Sequence, residues 1–418
     1  MDQTPSTRDF SPLYPPLFLL LPVIFIIIKH ISSLSSKRRP LPPGPRPWPI
    51  VGNIFHLEKK LHISMTRLAK VHGPLISLRL GTQLVVVGSS PAAATEILKN
   101  HDRLLSARWQ IKVLPHKSHV LERISVIWNP TCNDQWRSLR ALFRTELFSA
   151  KAIESQATLR EKKSSEMVKF LTTQQGKVIN IGEVVFATIF NTISNLLFSK
   201  DMIGLEDQGL AGGLKSLELF NAGAETTSTT IEWAMAEILK NKPVMVKVEE
   251  ELDRVINGGP MHESEVSQLP YLNALLKETM RLHPAAPFLL PHRALETCEV
   301  MNYTIPKDAQ VFVNVWAIGR DPTVWEEPLS FKPERFLGSS LDLKGQDFEL
   351  IPFGSGRRIC PGLPMATRQI PLILAHLIHY FDWSLENGED PATLDMNDKF
   401  GLTLQKEKPL RIIPKKKF

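Results

Sequence analysis

The 418-residue chain contains three cysteines, Cys132, Cys298 and Cys360. Far apart and odd in number, they spell no disulfide framework, and a reducing, cytosol-facing environment is expected. Its 22 glycines and 32 prolines follow no short period, which excludes a repeat fibre. Charged residues make up 22% against 43% hydrophobic ones, so a sizeable core can form and an intrinsically disordered chain is excluded. No basic stripe with interleaved aromatics occurs, so a nucleic-acid partner is not expected. The formal charge of +7 is compatible with an anionic membrane face or an acidic partner protein.

What is present starts with a long uncharged run, LFLLLPVIFIII, from Leu17 to Ile28. With its weaker flanks it reaches about 20 residues, enough to cross a bilayer core of roughly 30 Å as a helix. Lys37, Arg38 and Arg39 follow it, which puts the carboxy-terminal body on the cytoplasmic side. Residues 1–31 are therefore expected to be an uncleaved membrane anchor. Residues 32–53, basic and then proline-rich, are expected to be a stiff hinge. From residue 54 to 418 the chain is expected to be one domain. His72 to Asn100 predicts strands at Leu75–Leu80 and Gln83–Val87, then a helix opened by Ser90-Pro91. The middle is mainly helical, and a strand returns around Val311–Val315.

Near the carboxy end, Pro352 to Met365 reads PFGSGRRICPGLPM. Gly354, Gly356 and Gly362 allow tight turns and close approach to a flat partner. Cys360 stands just before a helix predicted over Leu363–Tyr380, with Pro371 expected to kink it. Free N–H groups and the helix dipole favour a thiolate there, so Cys360 is expected to be an anionic ligand. No Cys or His stands at zinc-like spacing, and a lone thiolate on a metal already held in a macrocycle is the economical chemistry.

Two further strings carry chemistry. Ala222-Gly-Ala-Glu-Thr-Thr227 lies in a helix predicted from about Leu214 to Lys240. Gly223 in mid-helix costs about 1 kcal/mol relative to Ala. The Thr226 and Thr227 hydroxyls compete for carbonyls of the previous turn. An ordinary helix with a packing glycine is the alternative. Glu278 and Arg281 share one face of a helix predicted over Tyr271–Leu282, a pair that alone would be a surface salt bridge worth little.

The string FGSGRRICPG resembles the haem-binding signature of the cytochrome P-450 haem-thiolate monooxygenases, and the chain is similar to their plant microsomal type. The resemblance implies Cys360 as the iron ligand of haem b, Arg358 as a propionate partner, Phe353 packed by the sulfur, and Gly362 beside the ring. Trp136 and Arg140, as W-x-x-x-R, imply further propionate contacts, and His292-Arg293 another, assigned to Arg293. Glu278, Arg281 and Arg335 imply the family's structural triad. Thr226 becomes the oxygen-activating threonine and Glu225 the acid, a Glu where Asp is often found. The fold implied is mainly α with a smaller β region. The activity implied is hydroxylation of a small apolar plant metabolite, of the terpenoid or alkaloid kind, with O2. Electrons would come from NADPH through NADPH-cytochrome P-450 reductase, at the endoplasmic reticulum membrane.

One departure stands against the family pattern. Only 90 residues separate Trp136 from Thr226, and by analogy roughly 80 are missing near 200–214, the region that resembles the F and G helices. Those helices would roof the substrate pocket. A remnant that binds haem but leaks reduced oxygen, arising as a splice variant or an incomplete gene model, is the second expectation.

Overall fold

The computed structural model describes residues 39–108, 125–206 and 218–417. The expected anchor, residues 1–31, lies outside the described residues, as does the start of the hinge.

Long helices dominate: α1 (Leu61–His72), α2 (Asp134–Leu142), α3 (Ala157–Thr173), α4 (Ile181–Phe198), α5 (Glu218–Lys240), α6 (Lys242–Ile256), α7 (Pro270–Leu282) and α8 (Leu363–Tyr380). Their ends follow local chemistry. Asn133 caps α2 by accepting the Trp136 N–H at 2.8 Å, and α7 opens on a proline, whose missing N–H would have had no helical partner anyway. α8 keeps the predicted bounds and continues through Pro371, which is buried. Ser90 opens its helix as expected, its hydroxyl accepting the Ala93 N–H at 3.1 Å, and the chain then widens into a π turn at Glu96–Asn100.

The strands are β1 (Leu75–Leu80), β2 (Gln83–Gly88), β3 (Ala107–Arg108), β4 (Ile179–Asn180), β5 (His292–Arg293), β6 (Cys298–Val300), β7 (Tyr303–Ile305), β8 (Gln310–Val313), β9 (Phe381–Leu385), β10 (Asp398–Lys399), β11 (Gln405–Lys406) and β12 (Arg411–Lys416). Five of them form a sheet in the order β1-β2-β8-β5-β3, with β2 and β8 parallel. The strand expected over Val311–Val315 ends two residues early. Asn314 accepts the Ala317 N–H at 3.1 Å and starts a short helix, Val315–Ile318. In the sheet Arg108 is directly opposite His292, and Ala107 opposite Arg293.

The main core joins α3 to α8 and the β4-β12-β9 sheet, with Phe190, Met235, Leu272 and Leu374 fully enclosed. A second core packs Ile97, Leu105, Val86 and Val311 around the five-stranded sheet. Burial of such side chains contributes about 1.5–3 kcal/mol each. Among the described residues α4 is the one helix long and apolar enough to cross a membrane, and it is two-thirds buried inside this core.

Candidate functional site

The loop that presents Cys360 is pinned along its length. Gly356 has φ +66°, and a Cβ there would stand 2.1 Å from the Leu98 carbonyl oxygen, so only glycine fits. Arg357 pairs with Asp102 at 3.0 Å, Ser355 donates to the Gly345 carbonyl, and the Cys360 N–H reaches the Phe353 carbonyl at 2.9 Å. Phe353 therefore braces the cysteine through its backbone, while its side chain packs on the main core. Gly362 lies beside the sulfur, since a Cβ there would be 3.8 Å from Sγ.

Cys360 corrects one expectation. Burial pushes its thiol above the ordinary value, and the N–H groups of Gly362 and Leu363, with the Arg140 charge, only oppose that rise. A helix start alone does not make a thiolate there; a cation bound at the sulfur would.

Next to this loop lies a cluster of guanidinium groups. Arg358 donates to the carbonyls of Ser106 and Asn129 at 2.9 and 2.8 Å, and its Nη1 is buried without a partner. Arg108 donates to the Leu290 carbonyl at 2.9 Å. Burial, followed by Arg358, lowers Arg108 to about 9, and burial with Arg140 beside it lowers Arg358 to about 10. Arg140 is lowered as well, chiefly by burial. No carboxylate among the described residues faces these three. His292, buried on the strand next to Arg108, is held well below its ordinary value by burial and then by that charge.

Two expected propionate contacts change here. Trp136 donates its indole N–H to the Val126 carbonyl at 2.9 Å, so it offers its ring face instead, under Arg358 at 4.6 Å and Arg140 at 5.6 Å. Arg293 leaves the cluster altogether, pairing with Asp308 at 2.7 Å near the surface. Successive residues of a strand point to opposite faces, so when His292 faces inward Arg293 faces out. Arg108, which the sequence did not single out, lies in the cluster instead. Cys132 also joins the cluster, lying beside Arg358 and Arg108, whereas Cys298 is a buried thiol raised by its surroundings.

On α5, Thr226 donates its hydroxyl to the Ala222 carbonyl at 2.6 Å, and the helix nevertheless runs unbroken from Glu218 to Lys240. Gly223 has a packing role too, because a Cβ there would come 2.7 Å from the Ile193 δ-methyl on α4. The Glu225 Oε1 accepts from the Thr403 hydroxyl at 2.7 Å and the Gln405 amide at 2.8 Å. The triad assembles as expected. Glu278 takes Arg281 at 2.7 Å and Arg335 at 3.0 Å, and Arg281 also reaches the Pro328 carbonyl at 2.8 Å. Glu278 and Arg281 are wholly enclosed.

A half-buried sulfur beside a glycine, next to arginines that lack anionic partners among the described residues, suits a flat metal macrocycle with acidic side arms. The class so defined is a thiolate-ligated haem site. Comparison with known sequences agrees. The Cytochrome P450 family profile matches residues 42–211 and 214–413, so the chain belongs to that family. It is 43% identical to (S)-N-methylcoclaurine 3'-hydroxylase isozyme 1 of Papaver somniferum, over 95% of this chain and 99% of that protein. It is 37% identical to geraniol 8-hydroxylase of Catharanthus roseus, over 96% and 99%. The first alignment spans 480 positions, more than the whole of this chain. The protein is thus an oxygen-incorporating oxidoreductase whose cofactor is haem, with electrons from NADPH by way of a reductase.

Proposed function

We propose that the chain hydroxylates a small apolar plant metabolite at the endoplasmic reticulum membrane, anchored by residues 1–31 and served by NADPH-cytochrome P-450 reductase. The observation that carries the site assignment is the pairing of Cys360 at the start of α8 with an arginine cluster that has no carboxylate partner among the described residues. Cys360 would ligate the iron, and Gly362 leaves room for the ring. Arg358, Arg108 and Arg140 would take the propionates, with His292 as a neutral partner and Trp136 as the plate beneath the guanidiniums. Haem, when bound, supplies the oxygen activation that turns a C–H bond into C–OH. The balance takes one O2, two electrons and two protons, and releases one water. Glu225 and Thr226 would deliver the protons from the α5 side. The triad shapes the segment 319–335 by gathering its carbonyls around Arg281.

The names of the relatives say where to look for substrate: (S)-N-methylcoclaurine and geraniol are the first compounds to try. The expected spectrum of the reduced, CO-bound protein has a Soret band shifted to the red by the thiolate. Persistence of that band in the Cys360→Ala variant would overturn the assignment.

A second reading is favoured by the length of the alignment, which exceeds that of the chain. The surplus of the relatives is proposed to fall near 200–214, where the family match is interrupted, and to include a roof over the substrate. Without it, water enters and oxygen reduction uncouples from hydroxylation. Product and peroxide measured side by side, with reductase and each compound, separate the two readings. Peroxide without product throughout would favour the second.

A further inference from the structure

We propose that Thr403 and Gln405 are positioning residues that hold the Glu225 carboxylate by Oε1, so that its proton is gained and released at Oε2. The proposal rests on the reading of Glu225 as the acid.

Both donors converge on one oxygen. The Thr403 hydroxyl lies 2.7 Å from Oε1 and the Gln405 amide 2.8 Å from the same atom. Oε2 accepts no hydrogen bond among the described residues. Two donors occupy the acceptor capacity of Oε1 and stabilise charge there, so a proton arriving at the carboxylate adds to the other oxygen. The hydrogen bonds thus choose the atom that exchanges protons, beyond simply fixing a rotamer.

The donors are themselves held against α5. The Trp233 indole N–H reaches the Leu404 carbonyl at 3.0 Å, between the two donor residues. Further along, the Leu410 N–H donates to Glu232 at 2.8 Å. On the opposite side the Leu404 N–H donates to the Ala285 carbonyl at 2.8 Å. Thr403 and Leu404 are buried. The segment 403–410 is laced to the same helix that carries the acid, so the donors and Glu225 keep one frame.

Chain length matters for the same reason. Shortening Glu225 to Asp by one methylene withdraws the carboxyl by about 1.5 Å. That gap breaks both hydrogen bonds. Glu225→Asp is therefore expected to resemble loss of the two donors, although it keeps an acid on the helix.

The test uses the full-length, haem-loaded protein. One readout is the Glu225 carboxylate stretch, taken as the infrared difference between each protein and its Glu225→Gln counterpart in the resting ferric state. The other is the share of consumed NADPH that appears as peroxide with reductase. In Thr403→Val/Gln405→Leu the carboxylate band is expected to move and the peroxide share to rise several-fold. Thr403→Ser, which keeps the hydroxyl, is expected to retain both wild-type values. Gln405→Leu alone carries the test if Thr403→Val disturbs the buried turn. A wild-type band and wild-type peroxide share in the double variant, with a raised share in Glu225→Gln, overturns the positioning role and leaves Glu225 as the acid. An unchanged peroxide share in Glu225→Gln removes both.

Discussion

Arg358 satisfies two of its nitrogens with backbone carbonyls and leaves Nη1 buried with nothing to bond. An unpaired buried cation is unfavourable until an anion arrives, so the residue's benefit belongs to the loaded protein. Arg358→Leu is expected to release haem several-fold faster to an apo-globin scavenger, while the melting temperature of the haem-stripped protein falls much less than that of the loaded one. Gly356 acts on the fold itself. Gly356→Ala forces a side chain into positive φ, a strain of about 1–3 kcal/mol, and drives it against the Leu98 carbonyl. Its urea midpoint should drop accordingly. Both residues were legible in the signature string. His292 against Arg293 was not, because which of the two faces inward depends on how a two-residue strand pairs with β3, a partner more than 180 residues away in the chain. Arg108 was hidden for the same reason, as was the role of Cys132.

Between α7 and the segment that follows it, stability is concentrated in one carboxylate. Glu278 accepts from both arginines and also from the Lys332 N–H at 2.8 Å. Removing one member of a buried pair leaves the other charge uncompensated, at about 3–5 kcal/mol. Glu278→Gln should therefore lower the unfolding free energy by roughly that amount and weaken haem retention indirectly, through the loop it supports. Where α4 meets α5, Gly223→Ala gains helix propensity but meets Ile193, so Gly223→Ala/Ile193→Val should be more stable than the sum of its single changes predicts. Urea titration of the four proteins measures that coupling. The bounds of α8, β1 and nearly all of α7 could be read from periodicity and flanking Pro and Gly. The end of β8 could not, since an asparagine cap decided it.

Across the whole molecule, His283, His292, His376 and His379 are all held below the ordinary histidine value by burial, His376 to about 4. Unfolding lets each take up a proton that the folded chain refuses. Their stabilisation is thus complete above about pH 6.5 and is lost as pH falls toward 4, so stability should decline on acidification through that window. Glu232, raised by burial, works in the other direction. His376→Leu should flatten the slope by up to about 1.4 kcal/mol per pH unit, as read from urea midpoints between pH 7 and pH 5. The lacing of segment 403–410 along α5 has a consequence for how the protein is made. Thr403 is 178 residues beyond Glu225. At about 5–20 residues per second of synthesis, Glu225 emerges from the ribosome well before its two donors exist. A ribosome stalled before Thr403 would carry a chain whose Glu225 is still held by neither donor.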